Sequence, residues 1–159
     1  MNNIRIPKLV SFLKRKYGTD DPEEIADYLG VTIIRMPLED VVAGFYKLLK
    51  RRKYIFLNSD IDDDVFLRVV LAHELGHAIM HPKENCTFMK SKTLLLTSRI
   101  EKQANIFAAY LLIDDDMLEE FSGYTEEQFC NCTGFPSELL DLRPVSYTHL
   151  RAHETLANL

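Results

Sequence analysis

The strongest constraint on this chain is the pattern H-E-x-x-H, which spans His73–His77. On a helix, two histidines four residues apart lie one above the other, about 6 Å apart along the axis, so both rings can reach one metal ion. Glu74 then lies beside the open coordination position, where a carboxylate can deprotonate a water molecule. The pattern falls within a helix predicted from about Val65 to His81, which Pro82 ends. The sequence therefore predicts a zinc peptidase site on a helix.

A catalytic zinc needs a third protein ligand. His81 follows His77 by four residues, but it lies about 12 Å along the helix axis from His73, so these two histidines cannot share one ion on an intact helix. We therefore expect His81 to support the site or to end the helix. Glu101 follows His77 by 24 residues, enough for a loop and a return helix. Asn105 shares the face of Glu101 and could accept a hydrogen bond from the outer nitrogen of a ligand histidine. We therefore favour Glu101 as the third ligand.

Two features of this region admit other interpretations. Ser98-Arg99-Ile100-Glu101 also fits a capping box, in which Glu101 would only close a helix start. The position downstream of H-E-x-x-H, with Asn105 in register, favours the ligand. Gly76 destabilises a helix interior by about 1 kcal/mol relative to alanine, and close approach of substrate or of a neighbouring backbone would account for it.

These assignments predict a mechanism. Zinc lowers the pKa of a water molecule, and Glu74 takes its proton and passes it to the leaving nitrogen of a peptide. A hydrogen-bond donor should stabilise the oxyanion. Tyr46, Tyr54 and Tyr110 are candidates, but each is equally well explained as a core aromatic.

Composition limits the classes of function. The chain has 159 residues, of which 47% are hydrophobic and 27% charged, as expected for one globular domain. A formal net charge of −5 argues against direct binding to nucleic acid or to an anionic membrane. The sequence shows neither a membrane-spanning run nor the apolar core of a signal peptide. Three cysteines form no disulfide framework, so we expect a cytoplasmic protein.

The pattern upstream of the zinc helix mixes helices and strands. A helix is predicted over Ile6 to Tyr17, and a second one ends before Gly30. Residues 23–31 superficially resemble half of a helix-turn-helix, but residues 31–34 read as a strand. Two further strands are predicted at 41–49 and 54–57, joined by the basic tip 50–53, and this hairpin could offer the edge on which a substrate adds as a strand. Residues 82–96 are predicted to be a connection.

Two linked motifs resemble the ImmA/IrrE family of metallopeptidases. The first is His73–His77 with His81 following, and the second is Glu101-x-x-Ala104-Asn105-x-Phe107-Ala108-Ala109-x-Leu111-Leu112. The resemblance covers roughly residues 5 to 120. One departure is Ile113-Asp114, where the family often has proline, and it affects only a helix end.

The resemblance implies an α+β, zincin-like fold, with a small sheet packed on the active-site helix and on a second ligand-bearing helix. It also implies zinc held by His73, His77 and Glu101, with Glu74 as general base. Members typically cut a partner helix-turn-helix repressor of a phage or mobile element and so relieve repression. A non-cleaving module that only sequesters such a partner is the alternative, and the intact Glu74 favours the enzyme. A broad housekeeping peptidase is disfavoured by the small size.

The organisation predicted along the chain has three parts. Residues 1–120 form the zincin-like domain, and residues 121–142 extend it. Residues 143–159 resemble translated adapter or vector sequence, so we expect a non-native tail and do not interpret its His149 and His153 as a second metal site.

Overall fold

Two helices, three strands, a long helix and a fourth strand follow one another along the chain, and the described elements after that strand are helices. The computed structural model describes residues 2–90 and 98–144. After a short 3₁₀-helix, Asn3–Arg5, the helices are α1 Ile6–Tyr17, α2 Pro22–Tyr28, α3 Asp64–Met80, α4 Arg99–Leu112, α5 Asp115–Glu120, α6 Glu126–Thr133 and α7 Ser137–Asp141. The strands are β1 Val31–Met36, β2 Val42–Leu49, β3 Arg52–Asn58 and β4 Cys86–Met89. The α+β prediction is confirmed, and because β1 follows α2, the helix-turn-helix alternative does not apply.

The four strands form one sheet in the order β1-β3-β2-β4. Strand β1 pairs with β3 in parallel, and β2 pairs with both β3 and β4 in antiparallel. The hypothesis that the β2–β3 hairpin offers an exposed edge is wrong, because these are the two middle strands. The turn is also tighter than predicted: Lys50 and Arg51 have positive φ angles of 48° and 67°, and Arg52 already belongs to β3.

Strand β4 lies in the segment predicted to be a connection. Its four residues alternate, with Cys86 and Phe88 buried and Thr87 exposed, but so short a pattern does not stand out in a sequence. The strand forms because β2 supplies hydrogen-bonding partners along its whole length. Residues 91–96 of the predicted connection lie outside the described residues.

Helix α3 lies between the sheet and α4, and two glycines set its distance from each. A Cβ on Gly44 of β2 would lie 2.7 Å from the Phe56 carbonyl oxygen and 2.9 Å from Cγ1 of Val70 on α3. A Cβ on Gly76 of α3 would lie 3.1 Å from the Phe107 ring on α4. The close approach expected at Gly76 is therefore present, but its partner is a side chain. These contacts bring the centre of α3 close to both layers.

The last three helices add to the same core. Leu118 of α5, Phe129 of α6 and Leu139 of α7 are buried in one apolar cluster with α3 and α4. Among the described residues, no helix combines the length and apolarity needed to cross a bilayer. Cys86, Cys130 and Cys132 are free, as expected from their odd number.

The end of the described chain is anchored by Arg143. This side chain is 6% exposed, its Nε donates a 2.7 Å hydrogen bond to the Ile113 carbonyl, and its guanidinium lies 4.1 Å from the centre of the Tyr110 ring. The first residue of the predicted tail thus packs on the domain. Residues 145–159, including His149 and His153, lie outside the described part, and the non-native origin of the tail stays a prediction.

Candidate metal centre

The two histidines of the H-E-x-x-H pattern lie on the side of α3 that faces α4. The helix begins at Asp63, whose side chain accepts a 3.0 Å hydrogen bond from the Phe66 amide, and continues without interruption through both histidines. His73 and His77 are almost completely buried, and their Nε2 atoms are 3.2 Å apart. The four-residue spacing therefore aims both rings at one point, as the sequence predicts.

Glu101 reaches that point from the first turn of α4. Its carboxylate oxygens lie 2.9 Å from His77 Nε2 and 3.2 Å from His73 Nε2. Its backbone amide donates a 3.2 Å hydrogen bond to Ser98 Oγ, which caps the helix. Glu101 thus begins the helix with its amide and meets the histidines with its carboxylate. In a capping box the carboxylate would reach back to the helix start, so its contacts with the two histidines favour the ligand interpretation.

Together these three side chains form a cluster that could hold a metal ion. Their potential ligand atoms all lie within 4.8 Å of one another. Two imidazole nitrogens and one carboxylate oxygen are the donor set of many catalytic zinc sites, so the residues present fit a metal of this class. Burial alone would raise the pKa of Glu101, but hydrogen bonds and Coulombic attraction from His73 and His77 hold it well below its ordinary value. The carboxylate is therefore ionised, which is the form that binds metals.

Asn105 contacts the outer nitrogen of His73. Its Oδ1 lies 2.6 Å from His73 Nδ1, and both residues are buried. This contact follows from the helical spacing, because Asn105 lies one turn after Glu101 on the same face of α4. The Phe88 ring of β4 packs edge-on against His73, with ring centres 5.0 Å apart. The sheet and α4 thus both restrict the orientation of His73.

His81 contacts His77 from the end of α3. It is the C-cap residue, with φ −130° and ψ 55°, so the chain has left the helix and the ring turns back toward the preceding turn. Its Nδ1 lies 3.0 Å from His77 Nδ1, and its Nε2 lies 2.7 Å from Oε1 of Gln103 on α4. Burial lowers the pKa of His81, and the hydrogen bond to Gln103 opposes only part of that shift. His81 is therefore placed beside the cluster.

Gln103 was not singled out in the sequence. A glutamine two residues after a candidate ligand has no distinctive spacing, since i and i+2 positions do not share a helix face. It meets His81 only because His81 has left the helical path. The buried position of this amide, 2% exposed, follows from the tertiary packing.

Glu74 has no exposed surface. Burial of a carboxylate is costly, so proteins rarely place one in the interior without a structural partner or a chemical role. Glu74 directly follows His73 in α3, within the most buried part of the helix. This location is compatible with the role expected from the H-E-x-x-H pattern.

The three candidate tyrosines occupy different environments. Tyr46 is buried, and its hydroxyl donates a 2.7 Å hydrogen bond to the Pro82 carbonyl. Tyr54 lies beside Phe56 on the outer face of the sheet, and Tyr110 lies under the Arg143 guanidinium. Tyr46 therefore fixes the chain after α3 and behaves as a core aromatic.

Comparison with known proteins gives the cluster a family context. Residues 26–132 match the peptidase family described as the IrrE N-terminal-like domain. The chain is 37% identical over 143 residues to uncharacterized immunity region protein 2 of Bacillus phage phi105, covering 89% of this chain and 90% of that one. It is 28% identical over 141 residues to metallopeptidase ImmA of Bacillus subtilis (strain 168), covering 86% and 81%. These matches confirm the resemblance seen in the two motifs: the chain belongs to the ImmA/IrrE family.

Proposed function

We propose that this protein is a zinc endopeptidase that cuts a partner helix-turn-helix repressor at a specific bond and so relieves repression. One observation carries the proposal. Two histidine nitrogens from α3 and a carboxylate from α4 converge within 4.8 Å, with the fully buried Glu74 next to one of those histidines. Such an arrangement has no evident use for stability, because clustered polar groups in a core are costly.

In this proposal each residue has one task. His73, His77 and Glu101 hold the zinc, which supplies a Lewis acid that polarises a carbonyl and lowers the pKa of water. Glu74 accepts the proton of the attacking water molecule and returns it to the departing amine. Asn105 and His81 keep the outer nitrogens of His73 and His77 in hydrogen bonds, which fixes the orientation of the rings.

The choice of substrate is supported by the family. The resemblance to the ImmA/IrrE family implies a partner helix-turn-helix repressor as substrate, and the two relatives carry the names immunity region protein and metallopeptidase. The net charge of −5 is compatible with a basic DNA-binding partner. Because a repressor works on bacterial or phage DNA, the proposal places the reaction in the cytoplasm.

The fold offers a place for an extended substrate. Among residues 2–90 and 98–144, strand β4 forms one edge of the sheet, and its Phe88 contacts His73. A peptide that adds as a strand along this edge would pass the cluster with its backbone held by main-chain hydrogen bonds. Site-specific cleavage would then depend on the side chains flanking the bond.

The test is co-expression of the chain with the repressor encoded beside it, followed by mass analysis of the repressor. Wild type should produce one pair of fragments, whose masses sum to the intact repressor plus water. Glu74→Gln should lower the cleavage rate by about 10²–10⁴-fold, because it removes the proton acceptor and keeps the side-chain size.

Zinc content serves as the control. Glu74→Gln should retain one zinc per chain, since Glu74 is not a proposed ligand. An intact repressor with zinc-loaded wild type would contradict the proposal and favour the non-cleaving module. Equal cleavage by both forms would show that Glu74 is not the base.

A further inference from the structure

A series of hydrogen bonds continues from His77 to the amino-terminal 3₁₀-helix. After the contacts of His77 with His81 and of His81 with Gln103, Nε2 of Gln103 donates a 3.2 Å hydrogen bond to Oδ1 of Asn3. Gln103 is 2% exposed, whereas Asn3 lies at the surface. The series thus crosses from α3 to α4 and ends outside the core.

Metal binding at His77 fixes the direction of every bond in this series. His77 Nε2 faces Glu101 and His73, so a zinc held there would take its lone pair, and the proton of the neutral ring would then be on Nδ1. That N–H donates to His81 Nδ1, which leaves the proton of neutral His81 on Nε2. His81 Nε2–H then needs an acceptor, and the atom facing it is the amide oxygen of Gln103. The amide nitrogen of Gln103 is left to donate to Asn3, as it does.

We propose that Gln103, held by Asn3, is a positioning residue for the metal centre and acts through His81 on the zinc-binding nitrogen of His77. The inference rests on the proposed function in one respect, because it takes the cluster to hold zinc. Beyond that function, the inference assigns a role to Gln103 and Asn3, which neither of the two sequence motifs specifies.

The two histidines differ in how they are supported. His73 is held by one amide oxygen, that of Asn105, on the helix that also bears Glu101. His77 is held by a second histidine whose own orientation depends on Gln103. The His81 amide still donates a 2.7 Å hydrogen bond to the His77 carbonyl, so the backbone places this residue, and the hydrogen bond to Gln103 adds a partner for its ring. Residues 3–5 therefore become part of the support of the metal centre.

The experiment measures zinc affinity by competition with a chromogenic chelator, using the full chain. Gln103→Met keeps the length of the side chain and removes its oxygen, so zinc should bind about tenfold to a hundredfold more weakly. Asn3→Ala should weaken zinc binding in the same direction by a smaller factor, and because this residue is at the surface, the variant should fold. Asn131→Ala, an exposed asparagine on α6, is the matched control and should bind zinc as wild type does.

A double-mutant cycle separates positioning from a general structural effect. If Gln103 acts through His81, then Gln103→Met should cause no further loss of zinc affinity in a His81→Phe background. The ligand-field absorption of the cobalt(II)-substituted protein should also change in Gln103→Met and stay unchanged in Asn131→Ala. A structural effect alone would lower the melting temperature of the metal-free protein and leave the cobalt spectrum of the folded fraction as in wild type.

Each outcome decides a specific claim. Wild-type zinc affinity in both Gln103→Met and Asn3→Ala would overturn the inference and leave the proposed function intact. Losses that add in the double variant would also overturn it, because Gln103 would then act independently of His81. A wild-type chain that binds no zinc would overturn the proposed function and this inference with it.

Discussion

Glu101 takes part in two interactions through different atoms. Its amide donates to Ser98 and its carboxylate meets His73 and His77. In the sequence, Glu101 three residues after Ser98 fits both a capping box and a metal ligand. The local pattern alone therefore does not distinguish these two roles. The position of Asn105, one helical turn after Glu101, favours the ligand role. It places a hydrogen-bond acceptor for a ligand histidine on the same face of the helix as Glu101.

Asn105 supports a prediction at the scale of one residue. Asn105→Leu removes the oxygen that lies 2.6 Å from His73 Nδ1, so the ring loses its partner and zinc affinity should fall about tenfold to a hundredfold. Zinc affinity would be measured with a competing chelator. Asn105→Asp is the matched variant, since a carboxylate oxygen can accept the same hydrogen bond, and it should bind zinc more tightly than Asn105→Leu does.

Equal zinc affinity for Asn105→Leu and wild type would contradict this account of His73. A loss of zinc affinity of the same size in both variants would also contradict it, because the acceptor oxygen would then not be the decisive atom.

At the scale of elements, glycine decides how closely α3 approaches its neighbours. Because Gly44 has no side chain, α3 can pack closely on the sheet. Gly76 likewise allows α4 to pack closely on α3. The atoms that an added methyl group would meet differ in kind. At Gly76 they belong to the Phe107 side chain, whereas at Gly44 the nearest is the carbonyl oxygen of Phe56 within the sheet.

These environments predict an order of stability. Gly76→Ala gains about 1 kcal/mol of helix propensity and loses about 1–3 kcal/mol by overpacking, so it should destabilise by at most about 2 kcal/mol. Gly44→Ala has no such gain and presses on a backbone atom, so it should destabilise by about 3 kcal/mol or more. Urea unfolding of the two variants and wild type measures both free energies of unfolding.

A smaller neighbouring side chain tests whether overpacking causes the loss of stability in Gly76→Ala. Phe107→Leu should lose less stability in the Gly76→Ala background than in wild type, because the smaller side chain makes room for the methyl group. Additive losses, or a larger loss for Gly76→Ala than for Gly44→Ala, would contradict the packing described here.

Elements with local signals were predictable, and elements defined by distant partners were not. Helix α1 begins and ends as predicted, because its apolar spacing and Gly18 are local. Strand β4 exists only by pairing with β2, about 40 residues earlier, and four residues carry too little pattern. The position of β2 and β3 in the middle of the sheet is likewise a property of topology. The role of Gln103 could not be predicted for the same reason, because its partner, His81, is positioned by the end of helix α3.

At the scale of the whole molecule, the cluster joins two helices that strand β4 separates in the sequence. His73 and His77 belong to α3 and Glu101 to α4, so a metal held by all three would tie these helices together. The family match, from residue 26 to 132, contains both helices and the sheet. Metal binding should therefore be linked to the stability of the whole fold.

Removal of metal tests this linkage. A ligand that binds only the folded state stabilises it by about 2.7 kcal/mol at 100 times its dissociation constant. Treatment with a chelator should thus lower the melting temperature, and added zinc should restore it. Glu101→Gln, which keeps the side-chain size, should lose this response. An unchanged melting temperature of the wild type after verified zinc removal would contradict the linkage.

The most direct test of the zinc assignment is anomalous X-ray diffraction from crystals of the zinc-loaded protein, with data collected on both sides of the zinc absorption edge. We predict one anomalous difference peak per chain, within coordinating distance of His73 Nε2, His77 Nε2 and the Glu101 carboxylate. Zinc bound elsewhere, or a coordination sphere that lacks Glu101, would contradict the account.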